Sequence, residues 1–82
     1  MTITLLYFAA VRELVGRDEE RVELPDGVKT IAELAAFLAQ HRPQLAGRLG
    51  AVRFARNETF AFDDDAIAAG DVIALIPPVA GG

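Results

Sequence analysis

The stretch TIAELAAFLAQH, residues 30–41, decides the fold because it predicts the best-defined element in the chain. Thr30 and Glu33 form a capping-box pattern, in which hydroxyl and carboxylate each accept a hydrogen bond from the other residue's amide. Pro43 disfavours continuation, so the helix should end near Gln40 or His41. Its apolar stripe is Ile31, Leu34, Ala35 and Leu38, widened by Phe37. We expect this helix to cover one face of a sheet.

Two strongly apolar runs near the chain ends predict central strands. Ile3–Ala9 and Val72–Ile76 are apolar on both alternations, a pattern typical of strands covered on both faces. Pro77 and Pro78 end the second run because proline cannot donate to a ladder. No segment remains to cover the face of these strands opposite the helix. Such an apolar face indicates a surface for a partner.

The remaining segments predict shorter elements. They are a helix at 9–15 stopped by Gly16, a polar turn at 17–20, a half-buried strand at 21–24, a helical turn at 45–49, strands at 51–55 and 59–62 with a turn near 56–58, and a turn at 70–71. The register of the 51–62 hairpin is not readable from the sequence. The order predicts an α+β fold, with a mixed sheet of four to five strands covered on one face by one long helix. We expect a single domain over 1–82 with a flexible tail at 77–82.

Composition excludes several classes of function. The chain has no cysteine and one histidine, so a thiol nucleophile, a disulfide framework and a thiolate metal site are excluded. The net charge is −4 and Lys29 is the single lysine, so a basic surface for nucleic acid is not expected. No apolar run approaches the roughly 18 residues of a membrane span. With no basic segment near Met1 to suggest a signal peptide, we expect a cytoplasmic protein.

Three polar features have an ordinary structural interpretation beside a functional one. Consecutive carboxylates at 63–65 rarely converge on a metal ion without other donors, and we interpret them as a solvated turn. His41 is better placed as a favourable charge at a helix C-terminus than as a catalytic base. Lys29 is either a modification site or an ordinary solvated lysine.

Segments at both ends of the chain resemble one protein family. Phe8-Ala9-Ala10-Val11-Arg12-Glu13-Leu14-Val15-Gly16, and Gly70-Asp71 with the apolar strand and Pro77-Pro78-Val79-Ala80-Gly81-Gly82 after it, resemble the small subunit of molybdopterin synthase. The resemblance covers the whole chain in length and element order, and Asn57-Glu58-Thr59 is similar to that family's Asn-containing turn. The family often has an acidic residue after Gly-Asp, where this chain has Val72. The resemblance implies a ubiquitin-like β-grasp fold and a sulfur carrier.

The resemblance also implies a cycle of chemistry at Gly82. An adenylating, E1-like enzyme uses ATP to convert the Gly82 carboxylate into an acyl-adenylate, and a sulfur donor protein converts it into a thiocarboxylate. The large catalytic subunit of molybdopterin synthase then receives the tail, and sulfur passes to cyclic pyranopterin monophosphate within a heterotetramer. In this scheme the chain binds no cofactor and supplies no catalytic side chain, yet it is the sulfur-donating subunit of a sulfurtransferase.

The tail composition suits this chemistry. A carboxylate is a poor electrophile at pH 7, and adenylation supplies the leaving group that it lacks. Gly81 and Gly82 have no Cβ and so pass a narrow channel, while Pro77 and Pro78 stiffen the exit from the sheet. The six residues of 77–82, which include Val79 and Ala80, span roughly 20 Å when extended. A frayed terminus without function is the alternative interpretation.

Interface residues are predicted at the ends of the central strands. Phe8 and Ile76 are candidate apolar anchors for the partner, with core packing as the alternative. Arg12 and Glu13 on the short helix are candidate rim contacts or ordinary helix surface. A carrier for thiamine or tRNA thiolation, a ubiquitin-like modifier and a non-covalent binding module remain open as alternative functions, because fold does not fix function.

Overall fold

The computed structural model describes residues 1–78 and folds them into five strands and two α-helices. The strands are β1 (Thr2–Tyr7), β2 (Glu19–Glu23), β3 (Arg53–Arg56), β4 (Thr59–Ala61) and β5 (Val72–Ile76), and the helices are α1 (Ala9–Val15) and α2 (Ile31–His41). Single 3₁₀ turns lie at Pro43–Leu45 and Leu49–Ala51. The predicted tail residues Val79, Ala80, Gly81 and Gly82 lie outside the described residues.

The strands form one mixed sheet in the order β2-β1-β5-β3-β4. β1 and β5 are parallel, and every other neighbouring pair is antiparallel. The two most apolar strands therefore lie inside the sheet, as their sequence predicts. The α+β architecture with five strands and one long helix is confirmed.

The predicted capping box is present at the start of α2. The Thr30 hydroxyl accepts from the Glu33 amide at 3.2 Å, and the Glu33 carboxylate accepts from the Thr30 amide at 3.1 Å. The same carboxylate also accepts from the Lys29 amide at 2.9 Å. Amides that the helix cannot satisfy internally are thus paired by local side chains.

The acidic segment at 63–65 also supports α2. The carbonyl of Asp65 accepts from the Ile31 amide at 3.1 Å, and that of Asp63 accepts from the Ala32 amide at 2.9 Å. The Asp65 carboxylate closes its own turn by accepting from the Phe62 amide at 2.7 Å. This segment is a turn that caps a helix, in line with the solvated-turn interpretation.

One face of the sheet packs against α2 and forms the core. Alternate residues of β1, namely Ile3, Leu5 and Tyr7, are almost fully buried, as are Ile73 and Leu75 of β5. The helix contributes Ile31, Leu34 and Leu38, and the connecting segments contribute Leu24 and Leu45. Because strand side chains alternate between faces, the intervening residues of β1 and β5 are directed to the other face.

Several predicted boundaries were wrong by one or two residues. β1 ends at Tyr7, because Phe8 caps α1 and the chain turns at Ala9. Glu19 and Glu20 were predicted to lie in a turn, but they pair with β1 and so belong to β2. β3 begins at residue 53 rather than 51, and the predicted turn at 45–49 is two 3₁₀ turns that flank 46–48. Pairing with a neighbouring strand decides where these strands begin and end. The local sequence pattern carries no information about that pairing.

Replacement of Thr30 by alanine tests the importance of the capping box. The Glu33 amide would lose its acceptor, so we expect the free energy of unfolding to fall by about 1 kcal/mol. Urea denaturation of both proteins measures the change. Thr30→Ser keeps the hydroxyl and should stay close to the parent; an equal loss in both variants would contradict the capping role.

Candidate functional site

The open face of the sheet carries a row of side chains that spans four strands. Leu6 of β1 pairs with Ala74 of β5, Ala74 pairs with Ala55 of β3, and Ala55 pairs with Phe60 of β4. The two alanines at the centre are small and the residues at the ends are large. This size pattern creates a depression along the middle of the open face.

The depression is an apolar groove of about 450 Å³. Its lining is Leu6, Phe8, Ala55, Asn57, Glu58, Phe60, Val72, Ala74 and Ile76. Three of these apolar residues are strongly exposed for their type: Phe8 at 45%, Phe60 at 53% and Val72 at 37%. An exposed apolar patch of this kind marks a binding surface, as the sequence predicts for the uncovered face.

Two predicted interface residues meet at one end of the groove. Because β1 and β5 are parallel and Tyr7 pairs with Leu75, Phe8 and Ile76 follow side by side. Both line the groove, and neither belongs to the buried core. The prolines that begin the tail follow directly after Ile76. Arg12 is exposed on α1 and does not line the groove, although its amide donates to the Phe8 carbonyl at 3.3 Å.

At the other end of the groove, Asp71 is the buried acceptor of a hydrogen-bond cluster. Its carboxylate accepts from Arg56 Nε at 2.5 Å and from the Ala68 amide at 2.7 Å. Burial alone would raise the pKa of the Asp71 carboxyl, but the hydrogen bonds it receives, that of Arg56 foremost, outweigh burial and hold the pKa below its usual value. The hydrogen bonds from its neighbours therefore stabilise the ionised form of the Asp71 carboxyl.

Asn57 joins this cluster to the groove. Its side-chain nitrogen donates to Asp71 at 3.0 Å, while its side-chain oxygen accepts from the Val72 amide at 2.9 Å. The Asn57 amide also donates to the Val72 carbonyl at 2.8 Å. The β3–β4 turn is thereby fixed to the start of β5. The sequence places Gly70-Asp71 and Asn57 in predicted turns and in the family resemblance, but no local pattern indicates that their side chains bond to each other.

A second polar cluster lies on the helix side and joins β1, β2 and the end of α2. Glu20 accepts from the Tyr7 hydroxyl at 2.5 Å and forms a two-point ion pair with Arg42, at 3.0 and 2.5 Å. Burial, followed by the hydrogen bond and charge of Glu20, raises the pKa of Tyr7 well above its usual value. Tyr7 is thus a neutral donor, and the cluster is structural.

The other polar candidates are placed away from the groove. The His41 ring stacks on Phe37 at 4.1 Å between centroids, and its Nδ1 lies 2.9 Å from the Phe37 carbonyl oxygen. Lys29 is exposed at the start of α2. Residues 1–78 contain no cluster of His, Cys, Asp or Glu arranged to hold a metal ion. Within the same residues, no helix has the length and apolar character to cross a bilayer.

A mixed sheet with parallel β1 and β5, crossed on one face by a single long helix, defines a β-grasp domain. Its open apolar face, which has Ile76 just before the tail in its lining, is a feature of the ubiquitin-like members of this class. The chain belongs to the ThiS family, whose model matches residues 5–82.

Relatives and solved structures agree with this membership. The molybdopterin synthase sulfur carrier subunit of Chlamydomonas reinhardtii is 40% identical over 84 residues and is covered completely, as is this chain. The crystal structure of SAMP1 from Haloferax volcanii superposes with a TM-score of 0.84 at 31% identity, with both chains fully covered. A complex of subunits 1 and 2 of the molybdopterin-converting factor from Helicobacter pylori contains a chain that matches with a TM-score of 0.71 at 26% identity, again over both full lengths.

Replacement of Asp71 by asparagine tests the polar cluster at the end of the groove. The variant loses the charge-assisted bonds from Arg56, so we expect the free energy of unfolding at pH 7 to fall by about 1–3 kcal/mol. The folded-state pKa of Asp71 lies below the unfolded value of about 3.9, so its contribution is present above that value and lost as the pH falls through the folded pKa. The gap between the two proteins should therefore close in acid.

Denaturation curves from pH 7 down to about pH 2 measure this gap. Asp26→Asn makes the same charge change at an exposed turn and should not reproduce it. A stability gap that stays constant through the acid range would contradict an ionised, hydrogen-bonded Asp71.

Proposed function

We propose that this chain is the sulfur carrier subunit of a molybdopterin synthase, with the carboxylate of Gly82 as its reactive group. The observation that carries the proposal is the full-length identity of 40% with a relative of that name. Other full-length relatives at 32–37% identity carry the same name. The groove beside Ile76, where the tail begins, adds a docking surface next to the reactive end.

The chemistry requires partners for each step. In an adenylating enzyme, a Gly82 carboxylate oxygen attacks the α-phosphate of ATP and pyrophosphate leaves. Sulfur delivered at the sulfide level by a donor protein then displaces AMP and leaves a thiocarboxylate. The thiocarboxylate sulfur then bonds to cyclic pyranopterin monophosphate, and water cleaves the acyl–sulfur bond, which leaves the sulfur on the pterin and regenerates the carboxylate. Gly81 and Gly82 suit a narrow channel because they have no side chain to exclude.

The groove is the surface with which we expect the large synthase subunit to associate. The Helicobacter pylori relative forms a complex with subunit 2 of the same factor. In this chain the groove presents Phe8 and Ile76 at the end from which the tail leaves. A partner held there would receive the tail at a fixed position, which limits the entropy lost when the tail enters an active site.

A second function is supported by the similarity to SAMP1 from Haloferax volcanii. A related solved structure bears the name small archaeal modifier protein 1. The same adenylated Gly82 would then be attacked by a lysine amine of a target protein and form an isopeptide bond, with release of AMP. The two functions share activation and differ in the nucleophile.

Intact mass spectrometry tests the covalent chemistry. We expect incubation with ATP, a sulfur source and the adenylating enzyme of the same genome to raise the mass by the exchange of one oxygen for one sulfur. Deletion of Gly82 should abolish the change because no correctly placed carboxylate remains. An unchanged mass, with an enzyme active on another carrier, would contradict carriage; added protein conjugates of higher mass would favour the modifier.

Substitution of either apolar anchor tests the docking surface. Phe8→Asp and Ile76→Asp place a charge in the groove, and we expect binding to the large synthase subunit to weaken at least about 100-fold. Calorimetry measures the binding, and circular dichroism checks that the variants fold. Phe62 is 69% exposed and lies outside the groove, so Phe62→Asp is the matched control and should bind normally. Normal binding by both groove variants would contradict the assignment.

A further inference from the structure

The turn between β3 and β4 holds a glutamate in an unfavourable backbone conformation. Asn57 and Glu58 have φ angles of +50° and +73°, the left-handed values that a two-residue hairpin turn of type I′ requires. Asparagine tolerates this region, and glycine is the residue usually found at the second position. A glutamate is strained there, so its presence calls for a reason other than the turn.

Glu58 is the sole charged residue among those that line the groove. It is exposed, and within residues 1–78 its carboxylate forms no hydrogen bond or ion pair. The amide of Asn57 beside it is already engaged by Asp71 and Val72. The fold therefore places one unused carboxylate at the edge of a surface whose other lining residues, apart from Asn57, are apolar, at the end away from Ile76.

Three acidic side chains of the described part of the chain differ from Glu58, although others, such as Glu13 and Asp26, are also exposed and unpaired. Glu20 binds Arg42, Glu33 caps α2 and Asp71 binds Arg56. Each of these carboxylates stabilises the fold through a neighbour. Glu58 does not, and its backbone conformation acts against the fold. Strain at an exposed position that borders a binding surface is typical of a residue retained for recognition.

We propose that Glu58 is a specificity-determining residue of the groove, whose carboxylate pairs with a lysine or arginine of the large synthase subunit. This inference rests on the proposed function. The partner surface it requires has apolar side chains that fill the groove over Ala55 and Ala74, with a cation beside them at the Val72 end. The partner needs this cation because Glu58 supplies the single negative charge of the groove lining.

The physical role of the pair is to orient the partner. Apolar contacts alone do not fix the orientation of a partner in the groove, whereas a charge at one end favours one orientation. The same charge disfavours a partner that has an acidic residue at that place. With Glu58 at one end and the tail at the other, the correct orientation brings the partner's active site toward the tail. Partial exclusion of water from the apolar surroundings strengthens the attraction over that of a free surface pair.

Two variants at this position separate recognition from folding. Glu58→Gln removes the charge and keeps the shape, and we expect binding to the large synthase subunit from the same genome to weaken about 5- to 30-fold at about 50 mM salt. Glu58→Gly also removes the strain, so it should lose the same affinity while its Tm is unchanged or up to about 5 °C higher. The difference between Glu58→Gln and the parent should shrink at about 0.5 M salt because screening removes the Coulombic part.

Isothermal calorimetry at the two salt concentrations, with thermal denaturation of each variant, measures these effects. Asp26→Asn changes the net charge equally at an exposed turn that does not line the groove, and it should bind as the parent does. Parent-like affinity of Glu58→Gln would overturn the inference and leave the proposed function intact. A Tm of Glu58→Gly below that of the parent would contradict the strain that motivates it.

The same experiments distinguish failure of the Glu58 pairing from failure of the proposed function. A parent chain that neither binds the large subunit nor gains sulfur would remove the function itself. A parent chain that self-associates in sedimentation, and that Glu58→Gln converts into a monomer, would assign the carboxylate to a contact between copies and overturn the proposed pairing.

Discussion

The structure depends on the position of β5, and the hydrogen bonds around Asp71 hold that position. β5 lies between β1 and β3, and it carries the chain to the start of the tail. At its N-terminal end the Asp71 carbonyl accepts from the Thr4 amide of β1 at 3.0 Å, while the Asp71 carboxylate binds Arg56 of β3. One residue thus joins three strands, and a buried carboxylate is stable there because every bond it needs is supplied.

The two faces of the sheet have different tasks. The helix face is filled by large aliphatic side chains from β1, β5 and α2, and this packing provides the hydrophobic stabilisation of a small domain. On the open face, the adjacent strands β3 and β5 carry Ala55 and Ala74, and the strands that flank them, β1 and β4, carry the larger Leu6 and Phe60. The groove therefore results from small residues at the centre of the sheet, and its formation requires no movement of the backbone.

The local sequence pattern was sufficient to predict the helices and strands, because helix caps and strand alternation depend on residues close in sequence. The capping box from Thr30 to Glu33 and the apolar run of β5 are examples. The Asp71 cluster was missed because its partners Arg56 and Asn57 lie 15 and 14 residues away, and nothing local identifies them as donors. Phe8 and Ile76 were predicted as anchors because they lie at the ends of the two central strands, and the parallel register of those strands brings them side by side. The left-handed conformation of Glu58 was unpredictable, since a glycine is the usual signal for such a turn.

Reconstitution tests directly whether the sulfur of a Gly82 thiocarboxylate is transferred to cyclic pyranopterin monophosphate. The chain carrying the thiocarboxylate would be mixed with purified large synthase subunit and cyclic pyranopterin monophosphate, and the molybdopterin formed would be quantified. We expect molybdopterin in proportion to the thiocarboxylate consumed, and none from the chain with an unmodified carboxylate. An absence of product, with a large subunit shown to be active on another carrier, would contradict this transfer.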